Sequence, residues 1–150
     1  MKILVDADAC PVKEEAISLA GEYEVEVWLV ASVNHVLPAG TSARLIQVDD
    51  FPEAVDLALI SRAEPGDVVV TADHGLVALA MAKSCRAVSP RGRIFRPDEV
   101  ESLLASRHLA KKLRGRKGVR LKGPPPFKEK DRNQFVESLS YLLRQGKSNK

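Results

Sequence analysis

The hydrophobic pattern alternates between short apolar runs and longer stretches of helical period. Lys2 to Val5 is a short apolar run that ends in acids and reads as a first strand. Pro11 suits the first turn of a helix, where its missing N–H is no loss, and the pattern predicts that helix from about Pro11 to Glu22, with Val12, Ala16, Leu19 and Ala20 buried. Glu24 to Ala31 alternates for part of its length, which predicts Val25, Val27 and Leu29 inward and Glu24, Glu26 and Trp28 outward. Arg44 to Val48 reads as a third strand. Asp50 is expected to cap a helix over Phe51 to Ala63, with Pro52 in its first turn and Pro65-Gly66 ending it.

Asp67 to Thr71 is the strongest strand signal, β-branched and with the look of a strand buried on both faces. A helix of small residues, Gly75 to Lys83, follows. Arg86 to Ser89 and Arg93 to Phe95 are read as short strands, and Pro97 as the opening of a helix to about Arg114. Such alternation implies parallel pairing with right-handed crossovers, hence a three-layer α/β/α sandwich with a mainly parallel sheet. Gly115-Arg116-Lys117-Gly118 and Gly123-Pro124-Pro125-Pro126 break the pattern, and Asp131 is expected to cap a last helix with Phe135, Leu139, Leu142 and Leu143 on one face. The chain therefore divides into an α/β domain over 1–114 and a basic loop and C-terminal helix over 115–150 packed on the same domain.

Charge changes this picture. Residues 1–105 carry 9 Lys/Arg against 17 Asp/Glu, whereas residues 106–150 carry 14 against 3. An acidic body with a basic arm suggests a polyanionic partner, although a charge run is often only a solvated face. Arg107, Lys111 and Arg114 recur on one helical stripe, and Lys112, Arg116, Lys117, Arg120 and Lys122 extend the field. Aromatic platforms are poor there, with only Phe127 close by, so base reading on single strands is weakly supported. Hydrophobic residues make up 45% of the chain, enough for a core and against a disordered chain. No apolar run is long enough to span a membrane. Asp6 interrupts the apolar N-terminus, which argues against a secretory leader and for a cytoplasmic location. Cys10 and Cys85 lie far apart, fitting reduced thiols that pack in the core. His35 and His108 lack ligand-spaced partners, His74 fits a turn as well as a substrate contact, and no phosphate loop is present.

The candidate chemistry lies in carboxylates. Asp6 and Asp8 follow the first strand and Asp73 follows the fourth, so parallel pairing would bring them to the ligand crevice at the carboxyl edge of the sheet. The alternative is that Asp6 and Asp8 cap the Pro11 helix and Asp73 caps the Gly75 helix. Asp56 is the polar exception in the apolar run Ala54 to Ile60, and burying it requires a partner. Arg62 or Lys83 could serve, or a divalent metal shared with Asp6 and Asp73. Carboxylates without His or Cys select hard cations, Mg²⁺ or Mn²⁺.

Three stretches carry a resemblance: Val5-Asp6-Ala7-Asp8-Ala9-Cys10-Pro11-Val12, Gly66-Asp67-Val68-Val69-Val70-Thr71-Ala72-Asp73-His74-Gly75-Leu76, and the Arg-rich stretch ending in Gly123-Pro124. Over nearly its whole length the chain resembles the bacterial YaiI/YqxD family, which is similar to PIN-like domains, metal-dependent ribonucleases. The resemblance implies a PIN-like fold and carries the metal-binding and catalytic roles over to Asp6, Asp56, and Thr71 with Asp73; Asp8, beside Asp6, is added to the metal and catalytic candidates. PIN nucleases usually place a further acid on an earlier helix; no clear match exists here, with Asp8 a possible substitute and Glu14 and Glu15 weaker ones. Asp6-Ala7-Asp8 also resembles the D-x-D of haloacid-dehalogenase-like phosphatases, yet Asp67 precedes its strand where their late acid follows one. Three functions stand in order: a metal-dependent nuclease acting on RNA, a non-catalytic RNA- or ribosome-binding module, and a small-molecule phosphatase.

If the arm tracks phosphates, affinity for single-stranded RNA should fall with salt at a log–log slope of roughly −3 or steeper, at about −0.7 per contact. Replacing Arg114, Arg116 and Lys117 by Ala should flatten that slope for all sequences alike, as read by fluorescence anisotropy across a salt series.

Overall fold

The computed structural model describes residues 1–32, 37, 40–51, 53–105 and 125–148. Five parallel strands form one sheet in the order β3-β2-β1-β4-β5: β1 Lys2–Asp6, β2 Glu26–Ala31, β3 Arg44–Gln47, β4 Val68–Val70 and β5 Arg86–Val88. The helices between them are α1 Lys13–Tyr23, α2 Ala54–Arg62 and α3 His74–Ala82. A 3-10 turn at Pro97–Glu99 leads into α4, described over residues 100–105, and α5 spans Glu129–Ser148.

The two-residue period of β1 explains the layers. Ile3 and Val5 face one side, where α1 and α5 cover them with Ala16, Leu19, Phe135, Leu139 and Leu143. Leu4 faces the other side with Val30 and Val69, beneath Leu59 of α2 and Leu76 and Ala80 of α3. The chain first builds outward from β1 through α1 to β2 and β3, then returns through α2 to β4 on the other flank of β1. Right-handed crossovers put helices made before and after that reversal on opposite faces. The architecture is an α/β/α sandwich.

Several local expectations are corrected. Glu24 does not begin β2; it adopts φ 57 and closes α1, and Val25 N–H donates back to the Ala20 carbonyl at 2.9 Å. Trp28 is not outward to solvent: β2 is an interior strand, and the indole packs half-buried in the core on the α2–α3 side. Asp50 does not cap α2. Two tight turns, Phe51 N–H to Asp49 O and Ala54 N–H to Phe51 O, delay the helix to Ala54, with Glu53 left-handed at φ 67 before it. Arg93 to Phe95 contributes an isolated antiparallel bridge, Val88 with Ile94, in place of a full strand. Asp131 lies inside the first turn of α5, where its Oδ2 accepts from Lys128 N–H at 2.9 Å, a cap made from the third helical position.

Asp67 has its partners at the amino edge of the sheet. The pair Lys2–Asp67 is nearly inaccessible, at 8% and 2% exposed. Asp67 accepts from Lys2 N–H at 3.0 Å, Lys2 Nζ at 2.7 Å and Glu64 N–H at 2.8 Å. It therefore bolts β1 to β4 and stands at the opposite edge from Asp6, which removes it from any phosphatase-like set with the D-x-D acids. Asp67→Ala leaves the buried Lys2 ammonium with only the longer, solvent-exposed contact to Glu64 at 3.7 Å and is expected to cost about 3 kcal/mol in urea unfolding. Adding Lys2→Met removes the buried ammonium and should recover only part of that loss, because the Lys2 and Glu64 amides still lack their carboxylate acceptor.

Candidate functional site

Strands β1 and β4 end side by side, with Val5 in register with Val70. The connections from these strands leave toward opposite flanks, so a crevice opens past their carboxyl ends. Asp6 is the last residue of β1 and is half-buried. Its Oδ2 accepts from the Thr71 hydroxyl at 2.8 Å, and Thr71 Oγ1 in turn accepts from Asp73 N–H at 3.0 Å. Thr71 is itself buried, so this is a fixed bridge between the two strand ends.

Asp73 has a cap role as expected from one of the two sequence alternatives. Its Oδ1 accepts from Gly75 N–H at 2.8 Å and Leu76 N–H at 3.3 Å, at the start of α3. Neither Asp6 nor Asp8 does the same for α1, whose N-cap is Val12 and receives no side-chain bond. Asp8 instead accepts from Ser32 N–H at 3.0 Å and Ser32 Oγ at 2.5 Å, tying the loop after β1 to the end of β2.

Asp8, Ser32, Asp50, Glu53, Asp56 and Asp73 line one open cleft of about 310 Å³. Asp6 does not line it directly but is joined to it through Thr71 and Asp73. Arg62 and Lys83, the candidate partners of Asp56, donate to the carbonyls of Ala58 and Ile60 at 2.8 and 2.7 Å, and so serve the end of α2. Asp50 and Glu53 are cleft acids that sequence reasoning missed. Residue type marks Asp50 as a cap, and Glu53 lines the cleft from the left-handed position just before α2, inside the span that the pattern reads as helix. Glu14 and Glu15 sit in the first turn of α1, and Glu15 pairs with Arg132 of α5 at 2.6 Å.

Burial pushes the Asp6 carboxyl above its ordinary range; the nearby Asp73 and Asp8 add to the rise and the Thr71 bond opposes it. Burial also pushes the Cys10 thiol up to about 11 and raises Cys85, so both remain protonated packing groups. His74 opens α3 and packs edge-on against Phe95, with centroids 5.8 Å apart. Among the described residues no three His, Cys, Asp or Glu side chains stand close enough together to hold a metal ion. Arg107, Lys111, Lys112, Arg114, Arg116, Lys117 and Arg120 lie outside the described residues, as does His108. Among the described residues no helix is long and apolar enough to cross a membrane.

The fold and site define an α/β sandwich with an acidic crevice at the point where its strand order reverses. The model of the family described as "Uncharacterized BCR, YaiI/YqxD family" matches residues 4–145, and the chain belongs to that family. It is similar to a UPF0178 protein of Bacillus velezensis, 42% identical over 142 residues, covering 94% of this chain and 84% of the relative. A UPF0178 protein of Halalkalibacterium halodurans is 39% identical over 142 residues, covering 95% and 90%. One of Natranaerobius thermophilus is 38% identical over 148 residues, covering 99% of each. No solved structure matches the chain.

The raised Asp6 carboxyl gives a signed pH effect. The folded state holds this proton more tightly than the unfolded chain, so ionisation of Asp6 costs stability. That cost is absent below 3.8, grows as pH rises above it and is complete once pH has passed the folded-state value. Asp6→Asn, which keeps an acceptor for Thr71, should therefore melt higher than the parent at neutral pH. The gain should vanish on acidification toward pH 3.8, as followed by circular dichroism.

Proposed function

We propose that the protein is a PIN-like, divalent-metal-dependent phosphodiester hydrolase acting on RNA, with Asp6, Asp8, Asp56 and Asp73 as its acids. The supporting observation is the acidic cleft at the β1–β4 strand ends, where Asp8, Asp56 and Asp73 face one space and Asp6 is wired to Asp73 through Thr71. Such a cleft repels a phosphodiester by itself, so binding one requires countercharge. Oxygen-only donors fit Mg²⁺ or Mn²⁺, and Mg²⁺ needs just one or two carboxylates, taking its other ligands from water and substrate phosphates. The acids present suit that mode, although they do not form a closed protein cage. A bound ion supplies an activated water and offsets charge on the phosphate.

The residues of the chain divide the remaining work. Asp8 is held by Ser32 and Asp73 by the first amides of α3, so both carboxylates are oriented before substrate arrives. Thr71 positions Asp6 by its hydroxyl. The basic stretch from Arg107 to Arg120 supplies backbone countercharge and carries little sequence information.

Millimolar Mn²⁺ should raise the melting temperature, with about 2.7 kcal/mol of stabilisation at a hundred times the dissociation constant. A labelled single-stranded RNA should be cleaved in Mn²⁺ and left intact in EDTA. Asp56→Asn and Asp73→Asn should slow cleavage by about a hundredfold or more. Asn at 73 keeps the α3 cap, whereas Asp73→Ala should also lose about 1 kcal/mol of stability. Metal-independent melting together with intact RNA overturns the proposal. RNA binding that needs the arm but tolerates every acid substitution indicates the binding module, and release of phosphate from small esters alone indicates the phosphatase.

A further inference from the structure

A second cleft opens on the other side of the same strand ends. Among the described residues its walls include Ala9, Pro11, Ala72, Pro90, Arg91 and Phe127, and its volume is about 600 Å³, within the range of small-molecule sites. Its lining is largely apolar, in contrast to the acidic cleft. Asp8 lines both. So does the chain just past β4: Ala72 faces this cleft and its neighbour Asp73 faces the acidic one. The carboxyl edge of β1 and β4 thus forms a ridge with a charged trough on one side and an apolar slot on the other.

The floor of the slot is fixed in advance. The guanidinium of Arg91 lies over the Phe127 ring, 5.6 Å from its centroid, and is anchored by Asp131 Oδ2 at 3.2 Å and the Pro125 carbonyl. Arg132, also over that ring at 5.4 Å, is held by Glu15. The turn bearing Arg91 is docked on α5: Gly92 has φ 89, and a Cβ there would come within 2.6 Å of Gln134 backbone. The Gly92 carbonyl accepts from Ser138 Oγ at 2.6 Å. Arg91 and Arg132 both lie over the Phe127 ring, so the surface left to a flat heteroaromatic group is the immobilised Arg91 guanidinium backed by that ring, with little side-chain entropy to lose on binding.

We propose that this apolar slot takes a nucleobase of the nucleotide whose phosphate lies over the acidic cleft. The inference rests on the phosphodiester reading for that phosphate, and the slot itself is tested without metal. A base lodged there must be unstacked from its neighbours, so the ligand is single-stranded nucleic acid or a free nucleotide, and a paired duplex is excluded from it.

The test is binding in EDTA, using a fluorescent ten-nucleotide single-stranded RNA and the same ribose-phosphate chain without bases. The wild-type protein is expected to favour the base-bearing chain by about tenfold or more, the scale of one stacked base. Phe127→Ala and Ala9→Leu should each lose most of that preference, the first by removing the ring that backs Arg91 and the second by filling the slot from an exposed loop. Ala9→Leu keeps the test sharp if Phe127→Ala fails to fold. Competition by adenosine monophosphate at the same affinity as the decamer assigns the slot to free nucleotides; weak competition assigns it to the polymer. Equal binding of the two chains overturns the inference, as does full preference retained in Ala9→Leu. Metal-dependent cleavage of both chains at one rate removes the slot and leaves the hydrolase standing. Base-dependent binding with no cleavage in Mn²⁺ removes the hydrolase and leaves the slot.

Discussion

Everything of interest in this molecule depends on the pairing of β1 with β4. These strands are distant in sequence, and their union closes the sheet around a strand that is buried on both faces. At one edge the union is secured by Lys2 and Asp67, a buried ion pair whose carboxylate is saturated by three donors. At the other edge it is secured by the Thr71 hydroxyl on Asp6. A buried ion pair is seldom a large net source of stability, but an arrangement that separates its partners leaves an uncompensated buried charge. A one-residue slip of β4 would strand both charges and turn Val69 away from Leu4.

The layered architecture was legible because apolar period and turn chemistry agreed along most of the chain. Phe135, Leu139, Leu142 and Leu143 are all buried on α5, as their spacing predicts. Failures occurred where tertiary position overrode local pattern. Trp28 reads as outward from alternation alone, yet an interior strand has two buried faces, and only sheet order reveals that. Asp50 looks like a cap by residue type, yet successive tight turns around Phe51 hold the helix back. Those turns also aim Glu53 into the cleft, and no motif in the sequence signals a left-handed glutamate.

The carboxylates were legible as a group and less so as individuals. Parallel topology was enough to bring Asp6, Asp8 and Asp73 to one edge. Which acid caps a helix and which faces the cleft depends on loop conformation, and Asp73 turns out to do both. Its two tasks are compatible because a cap engages one carboxylate oxygen with the helix amides. Asp8 differs, since its orientation comes from Ser32 on β2's far end, a pairing across 24 positions that no local pattern encodes.

The bridge through Thr71 has a direction. The Asp73 amide donates to the hydroxyl oxygen, and the hydroxyl donates to Oδ2 of the Asp6 carboxylate. While Asp6 is ionised, Oδ2 is the acceptor in this bond. Neutralising Asp6 weakens the acceptor of the Thr71 hydroxyl, and the change reaches the Asp73 amide as an altered polarisation of its N–H. The amide proton resonance of Asp73 becomes a built-in reporter of the charge on Asp6. A Val side chain at position 71 would match the shape of Thr71 and silence that reporter.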